Sequence, residues 1–264
     1  MVKISKEIGE LLEIKAAQYN HPTFIEHDPI AIPHQFTAKE DIEIAAFITA
    51  TIAWGTRKGI LNSAHRIMDA LQQAPYQFVM QHQPQDLKPL YSLVHRTFNG
   101  RDLVYFISAL RQIYQQHGGL EAALATRTGE SSVYPALLRF RQIFLSLPHE
   151  PRLEKHLSNP AKNSACKRLN MFLRWMVRRD KHGVDFGLWK SISPAQLSCP
   201  LDVHSSKVAR ELGLLKRSIN DLKAVQELDN ALRQLDPADP VKYDYALFGL
   251  GVFEKFGSAA HLRN

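Results

Sequence analysis

Two residues in the C-terminal half of the sequence, Lys167 and Asp202, are of types that could perform covalent chemistry together. Lys167 lies near the start of a segment with helical periodicity, and Asp202 follows Pro200 at a position typical of a helix N-cap. A lysine amine can attack an electrophilic carbon and form a Schiff base, while a carboxylate stabilises developing positive charge or handles protons. We therefore expect the two side chains to share one site. The alternatives are an ordinary surface lysine and a carboxylate that only caps a helix.

The positive charge of the chain is concentrated in the same region. Residues 152–217 contain 14 Lys and Arg against 5 Asp and Glu, a net charge of +9, whereas the whole chain carries +7. One basic region on an otherwise slightly acidic protein is typical of a surface that binds nucleic acid, and a solvated surface is the alternative. At about 100° per residue, Lys167, Arg174 and Arg178 fall on one helix face, apart from the apolar face. We predict double-stranded DNA as the partner, contacted by Arg168, Arg174, Arg178, His204 and Lys207.

The elements that must position these residues are predicted to be helices almost throughout. Residues 42–54 are apolar on nearly all sides, which predicts a helix deep in the core. The dipeptide Asn99-Gly100 leads into a helical pattern, so no sheet is predicted. The fold class is therefore all-α, and we expect a single helical domain over residues 1–264. Two lobes flanking a cleft, of residues 38–150 and of residues 1–37 plus 151–264, are an alternative division of the same chain. The other predicted helices span residues 57–73, 101–116, 133–145, 164–179, 202–212, 219–235 and 241–252.

Composition excludes several classes of protein. A chain of 264 residues with 45% apolar residues can bury a core and is too apolar to be disordered. Its two cysteines, Cys166 and Cys199, cannot form a disulfide framework or supply four thiolates to an iron–sulfur cluster. No apolar segment approaches the roughly 18 residues of a membrane span, and the N-terminus lacks a signal-type apolar region. We expect a cytoplasmic protein with no cofactor, no metal, no membrane contact and no obligate protein partner.

The residues around Asp202 carry a resemblance to a known superfamily. Pro200-Leu201-Asp202-Val203-His204, followed by Val208 and Leu212-Gly213-Leu214, resembles a stretch of the helix-hairpin-helix DNA glycosylases. The resemblance implies a glycosylase-like fold with Asp202 as the catalytic carboxylate. In bifunctional members of that superfamily a lysine four residues after the first hairpin glycine is the nucleophile, which implies this role for Lys167 in the segment of residues 163–167. Both hairpin glycines are absent here, and the 35-residue separation of the pair is nearest to that of the archaeal 8-oxoguanine glycosylase branch.

The same resemblance suggests residues that contact a flipped base. Asp244 and Phe248 lie four apart and project from one helix face, as the polar and aromatic residues that read and stack on the base do in 8-oxoguanine-type branches. Trp54 is a further candidate for substrate contact. The alternative is that Phe248 and Trp54 belong to the core and that Asp244 is an exposed helix residue. Taken as a whole, through residues 50–57, 174–178 and 239–248, the chain resembles an uncharacterised bacterial domain family distantly similar to these glycosylases.

The sequence and the resemblance thus predict a DNA-binding base-excision glycosylase with lyase capacity that acts on a damaged base, of which an oxidised purine is one candidate. Two other functions stay open. One is a non-catalytic nucleic-acid-binding module on the same fold, which the missing hairpin glycines favour. The other is a His-Asp metal phosphohydrolase, suggested by His21, His27-Asp28, His34 and the Asp202/His204 pair. Asp28 precedes Pro29, which disfavours the helical dyad that such a hydrolase needs.

Overall fold

The structure is a computed structural model that describes residues 4–256. It is mostly helical, which confirms the all-α prediction at the level of fold class. The described residues contain α1 (Lys6–Tyr19), α2 (Lys39–Thr51), α3 (Arg57–Ala70), α4 (Pro75–Gln81), α5 (Gly100–Gln116), α6 (Leu120–Leu124), α7 (Tyr134–Phe144), α8 (Lys167–Val177), α9 (Val203–Glu211), α10 (Leu222–Leu235) and α11 (Tyr243–Val252). The 3-10 helices are Pro22–His27, Pro29–Ala31, Pro33–Gln35, Lys88–Ser92, Pro151–His156, Pro160–Lys162, Pro194–Gln196 and Pro240–Lys242.

The chain divides into two compact units. The first unit consists of residues 1–24, 130–133 and 159–264, and the second of residues 25–129 and 134–158. The first unit therefore contains α1 and α8 to α11, and the second contains α2 to α7.

In the first unit, α11 packs against both α1 and α9. The loop after α8 folds back onto that helix, because the backbone N–H groups of Phe186 and Trp189 donate to the carbonyls of Trp175 and Met176. These are carbonyls of the last helical turn, which otherwise lack partners. Trp189 is buried and its ring meets Phe172 edge to face at 5.3 Å. The segment of residues 184–189 therefore packs onto the core through Trp189.

The second unit is built around α2, in which every residue from 42 to 51 is buried, as its apolar pattern predicts. Phe47 of α2 lies 5.8 Å from Phe106 of α5 and 5.6 Å from Phe140 of α7, measured between ring centroids. Rings at this spacing bury large apolar areas and add aromatic contact energy. The core of this unit is therefore aromatic and is formed by three helices that are distant in sequence.

One local prediction was wrong. A short antiparallel hairpin, β1 (Val94–His95) and β2 (Phe98–Asn99), precedes α5, with His95 paired to Phe98. Its turn lies at Arg96 and residue 97, and the Asn99-Gly100 dipeptide leads into α5, as predicted. Asn99 caps α5: its side chain accepts from the N–H of Asp102, and the Asp102 carboxylate accepts from the N–H of Asn99.

Over residues 4–256, none of the helices combines the length and the apolar character needed to cross a membrane.

Candidate active site around Lys167 and Asp202

Lys167 is the first residue of α8, and a tight hairpin delivers the chain to it. The hairpin runs from the 3-10 helix Pro160–Lys162 through Asn163, whose φ of 59° and ψ of 27° are left-handed. Cys166, the N-cap of α8, is also left-handed at φ 52° and makes no side-chain capping bond. The prediction that this helix begins at residue 164 is therefore wrong. The two left-handed residues turn the chain, and the helix begins only at Lys167.

Asn163 occupies the position at which the resemblance places the first hairpin glycine. Glycine serves at such positions because it accepts a positive φ, and asparagine is among the residues that adopt this conformation next most readily. The Asn163 side chain also fixes the turn, since its Nδ2 donates to Asp221 Oδ2 at 2.8 Å, and the N–H of Leu222 donates to the Asn163 carbonyl at 3.1 Å. Asp221 in turn caps α10 by accepting from the N–H of Ala224 at 3.0 Å. The hairpin is thereby attached to the start of α10.

Asp202 caps α9 and faces Lys167 at the same time. Its Oδ1 accepts from the N–H of His204 at 2.8 Å, from the N–H of Ser205 at 2.9 Å and from the Ser205 hydroxyl at 3.1 Å. Its Oδ2 lies 3.4 Å from Lys167 Nζ. The backbone around Asp202 is also held, because Asn220 Nδ2 donates to the Asp202 carbonyl at 3.3 Å. The structure thus brings the predicted pair together across 35 residues of sequence.

The two carboxylate oxygens of Asp202 therefore have different tasks. Three donors hold Oδ1, which fixes the orientation of the carboxylate and directs Oδ2 towards the amine. The Lys167 side chain is 36% exposed and that of Asp202 is 14% exposed. An oriented carboxylate beside a solvent-accessible amine can take part in nucleophilic or proton-transfer chemistry on a molecule that arrives from solution.

Asp244 lies behind this pair, in the interior of the same unit. Asp244 is 5% exposed. The Cys199 thiol donates to its Oδ1 at a sulfur–oxygen distance of 3.6 Å, and Arg174 donates to its Oδ2. Burial raises the pKa of the Asp244 carboxyl to about 6; Arg174 opposes this shift and the negative charge of Asp202 adds to it. Both oxygens of Asp244 are thus engaged from inside the protein. Contact with a flipped base would require the buried Asp244 side chain to become accessible from solution.

Arg174 and Arg178 do not face solvent, contrary to the expectation that they contact phosphates. They are 4% and 3% exposed. Arg174 lies with its guanidinium carbon 4.4 Å from the centre of the Tyr245 ring. The predicted helix correctly places Arg174 and Arg178 away from the apolar face. In the structure, however, carboxylates from other segments cover both guanidinium groups. The carboxylates that pair with one or both arginines are Asp180, Asp185, Asp239 and Asp244.

The other three residues predicted to contact nucleic acid are more accessible. His204 and Lys207 are exposed on α9, three residues apart and therefore on one helix face. Arg168, next to Lys167, is half-buried, and desolvation lowers the pKa of its guanidinium to about 10. Val203, which follows Asp202, is 75% exposed. The surface beside Asp202 therefore offers cations and one apolar side chain to a partner.

The remaining substrate candidates make internal ring contacts. Phe248 is half-buried, and its ring meets Phe24 edge to face at 5.8 Å. Trp54 belongs to the second unit, where its ring stacks on His156 at 5.9 Å and meets His95 edge to face at 5.2 Å. A role of Phe248 or Trp54 in stacking on a base stays a prediction.

The residues that suggested a metal phosphohydrolase do not converge. Asp28 is the N-cap of the 3-10 helix Pro29–Ala31, and its Oδ1 accepts from the N–H of Ile30 at 3.0 Å. Within residues 4–256, no three His, Cys, Asp or Glu side chains are grouped so that they could hold a metal ion. The geometry therefore offers this third function no ligand set in the described part of the chain.

Several residues that shape the site were not predicted from the sequence. Ser205 completes the capping box of Asp202, and the spacing of the two residues was a signal that could have revealed it. Asp185, Asp239 and Cys199 gave no such signal, because their contacts with Arg174, Arg178 and Asp244 depend on tertiary packing alone.

Comparison with known proteins gives a family for this chain. The profile of the family described as protein of unknown function (DUF2400) matches residues 28–253, and the chain belongs to that family. This confirms the resemblance to an uncharacterised domain family. No curated protein and no solved structure matches the chain.

Proposed function

We propose that this member of the DUF2400 family is a DNA glycosylase with lyase activity that uses Lys167 as nucleophile and Asp202 as its electrostatic partner. The observation that carries the proposal is the 3.4 Å approach of Lys167 Nζ to Asp202 Oδ2. The pairing was expected from the sequence resemblance alone, and it joins the starts of two helices that are 35 residues apart.

The hairpin supports the same proposal. The resemblance implies a turn that begins four residues before the nucleophile. In this sequence, residues other than glycine stand at both of its glycine positions. Asn163 supplies the left-handed conformation at the first of these positions, and Asp221 and Leu222 hold it there. The absence of that first glycine is therefore compatible with a hairpin that presents Lys167.

The proposed reaction begins with attack on the deoxyribose of a damaged nucleotide that has been flipped out of the duplex. The Lys167 ammonium first releases a proton to solvent. The neutral nitrogen then bonds to C1′ as the bond from C1′ to the base breaks, and the departing base takes up a proton from the nitrogen. Asp202 stabilises the positive charge that develops on the sugar, because its Oδ2 is already directed at the reacting centre. The ring opens as the C1′–O4′ bond breaks and O4′ takes the remaining nitrogen proton, which leaves an imine between Lys167 and the sugar. Loss of a C2′ proton to water then forms the C2′–C3′ double bond as the 3′ phosphate leaves, and the strand is nicked.

Binding to the duplex would come from the exposed cations near Asp202. Lys162 lies in the hairpin and Lys207 lies on α9, and both are exposed. Each phosphate that such a residue neutralises releases condensed counterion, so that affinity falls as salt rises. His204 lies on the same side of α9 as Lys207 and would contribute where it is protonated.

The test is reductive trapping on duplexes that carry an abasic site, 8-oxoguanine or another damaged base. Borohydride should trap the wild-type protein on at least one of them as a covalent complex, because it reduces the imine. Lys167→Gln should abolish the complex while leaving DNA affinity nearly unchanged, and Asp202→Asn should slow base release.

Lys162→Ala combined with Lys207→Ala is the matched control, because it alters charge near the site without altering the pair. It should weaken binding to every duplex and reduce the slope of log affinity against log salt by up to about two. Trapping that persists in Lys167→Gln refutes the nucleophile. If the wild-type protein binds duplexes but forms no covalent complex with any of them, the proposed enzyme activity is refuted. The non-catalytic nucleic-acid-binding module then remains.

A further inference from the structure

A second concentration of positive charge lies in the second unit, outside the basic region of residues 152–217. Residues 54–68 and 87–101 together contain six Lys and Arg and no Asp or Glu. The fold joins these two segments, because α3 packs against both β1 and the 3-10 helix Lys88–Ser92. The two segments together form the α3–hairpin surface. Its charge does not show in the balance of the whole chain, because the other residues outside 152–217 are acidic on average.

Four of these cations are exposed and make no ion pair with any carboxylate of residues 4–256. They are Lys58, Arg66, Lys88 and Arg96. Arg101, in contrast, lies 3.5 Å from Glu150. Asp102, which follows the second segment, is buried and pairs with Arg152. The α3–hairpin surface therefore carries uncompensated positive charge, which attracts a polyanion.

Arg96 lies at the tip of the hairpin, in a strained backbone conformation. Its φ of 54° is left-handed, and a non-glycine residue in this region has a conformational cost that surrounding contacts must sustain. The preceding residue, His95, is buried and anchored through both ring nitrogens. Its Nδ1 lies 2.9 Å from Ser63 Oγ, and its Nε2 lies 3.0 Å from the carbonyl oxygen of Trp54. The hairpin tip is thereby fixed against both ends of the first half of α3.

The Arg96 side chain lies over the residues that lead into α3. A Cβ on Gly55 would come within 3.2 Å of Cδ and of Nη1 of Arg96, so the arginine occupies the space that this glycine leaves. Gly55 also has a φ of 110°, which glycine adopts readily. On the other side of the tip, Arg152 Nη2 donates to the Thr97 carbonyl at 2.9 Å. The guanidinium of Arg96 is therefore presented at a defined place on the α3–hairpin surface.

Two exposed apolar side chains accompany the cations. Tyr91 and Val94 are each 55% exposed. Exposed aromatic rings among cations are typical of surfaces that bind nucleic acid. A helix that lies on a membrane needs an apolar face, whereas the exposed residues of α3 are all polar. These residues are Lys58, Asn62, His65, Arg66 and Asp69. The α3–hairpin surface thus favours nucleic acid over lipid.

We propose that the α3–hairpin surface binds the phosphate backbone of duplex DNA, with Arg96 as its central contact. The proposal rests on the DNA partner of the function proposed above, and it adds a contact surface that does not use Lys167. The guanidinium of Arg96 has five N–H donors in a fixed geometry that matches phosphate oxygens. Lys58 and Lys88 add point charges. Because phosphate contacts carry no sequence information, an undamaged duplex binds this surface as well as a damaged one.

The experiment measures lysine acetylation in the full-length protein, with and without a short undamaged duplex. N-hydroxysuccinimide acetate modifies accessible amines, and mass spectrometry gives the rate at each lysine. Saturating DNA should slow the acetylation of Lys58 and Lys88 several-fold, because bound phosphates cover their amines. Lys6, whose side chain is 86% exposed on α1, is the internal control and should react at an unchanged rate.

A charge-matched pair of double variants measures the energetic contribution. Arg66→Gln with Arg96→Asn removes two charges from the α3–hairpin surface, and asparagine retains the left-handed turn. The variant should bind the duplex about 10-fold to 60-fold more weakly at about 0.1 M salt, with a slope of log affinity against log salt reduced by up to about two. Lys6→Gln with Arg127→Gln removes two exposed cations elsewhere and should change affinity by less than about 3-fold, because charges beyond about 10 Å are screened.

Unchanged acetylation of Lys58 and Lys88 in the presence of saturating DNA overturns the proposal, and so does an equal loss of affinity in the two double variants. Equally strong protection by phosphatidylserine vesicles or by polyglutamate overturns DNA as the partner. Protection of Lys162 and Lys207 alone overturns this surface and leaves the function proposed above intact. Protection of Lys58 and Lys88 in a protein that forms no borohydride-trapped complex supports this surface while the lyase fails.

Discussion

The division of tasks between the two oxygens of Asp202 gives a prediction that separates capping from ion pairing. Asp202→Asn keeps a side-chain oxygen that can accept the bonds now made by Oδ1, but it removes the negative charge that faces Lys167. Asp202→Ala removes both. Lys167→Gln removes only the other partner of the ion pair. The three variants should therefore reduce the free energy of unfolding by different amounts.

The structure sets the expected magnitudes. Oδ1 accepts two backbone N–H groups of the first turn of α9, and loss of such a cap costs about 1 kcal/mol, within a range of roughly 0.5–2. The lysine of the pair is 36% exposed, so the ion pair contributes only about 0.2–1 kcal/mol. Asp202→Ala should thus cost roughly 1–3 kcal/mol, the sum of these two contributions. Asp202→Asn and Lys167→Gln should each cost about 1 kcal/mol or less.

Urea denaturation of the wild type, the single variants and the Lys167→Gln/Asp202→Asn double variant measures these terms as a double-mutant cycle. The coupling energy should be about 0.2–1 kcal/mol at low salt and should vanish in 1 M salt, where the screening length falls to about 3 Å. The difference between Asp202→Ala and Asp202→Asn should survive in high salt. Absence of coupling at low salt refutes the ion pair, and equal costs for Asn and Ala refute the capping role.

Two further predictions concern the interior of the first unit. Burial raises the pKa of Asp229 and of Asp244 from 3.8 to about 6, so between these values the folded chain binds more protons than the unfolded chain. The free energy of unfolding should therefore increase as the pH falls from 7 to 5, and this contribution should be lost as the pH rises through 6. Urea denaturation should show a smaller increase between pH 7 and pH 5 in Asp229→Asn than in the wild type. An increase of the same size in both would contradict the raised pKa of Asp229. A Cβ on Gly249 would lie 2.0 Å from the ring of Tyr19, so Gly249→Ala should lower the free energy of unfolding by about 1–3 kcal/mol. Gly9→Ala is the control in thermal and urea unfolding, because its Cβ would meet only the end of a leucine side chain at 3.2 Å and should be tolerated; equal costs contradict the packing argument.

The parts of the fold that the sequence predicts are those set by local patterns. The apolar run from residue 42 to residue 54 fixed α2 and its burial, because a helix without a polar face has no side to expose. Asp202 was recognisable as a cap because Pro200 precedes it and an apolar stripe follows. The proximity of Lys167 to Asp202 came from the resemblance rather than from any local pattern, since nothing in a single helix indicates which other helix start lies beside it.

The errors arise where tertiary contacts override a local rule. Asn163 is a good N-cap by residue type, but here it adopts a left-handed turn that is held by Asp221, and the helix begins later. Asn99-Gly100 leads into α5 as predicted, but the short hairpin that turns at Arg96 was not predicted, because a two-residue strand is too short to show a pattern. The contact between Ser63 and His95 joins a helix to a hairpin 32 residues later, and no pattern in either segment indicates it.

The burial of Arg174 and Arg178 changes how the basic region can act without reducing its charge. Two of their partners, Asp180 and Asp185, lie in the same region, so setting aside all four residues leaves 12 cations and 3 anions in residues 152–217, still a net charge of +9. Seven of those 12 cations are lysines, which attract phosphate as point charges rather than through a two-pronged guanidinium geometry. Phosphate contacts fix register on a duplex but carry no sequence information. For the DNA binding proposed above, contacts of this kind would therefore hold a duplex of any sequence, and selection among nucleotides would have to come from side chains that contact the base.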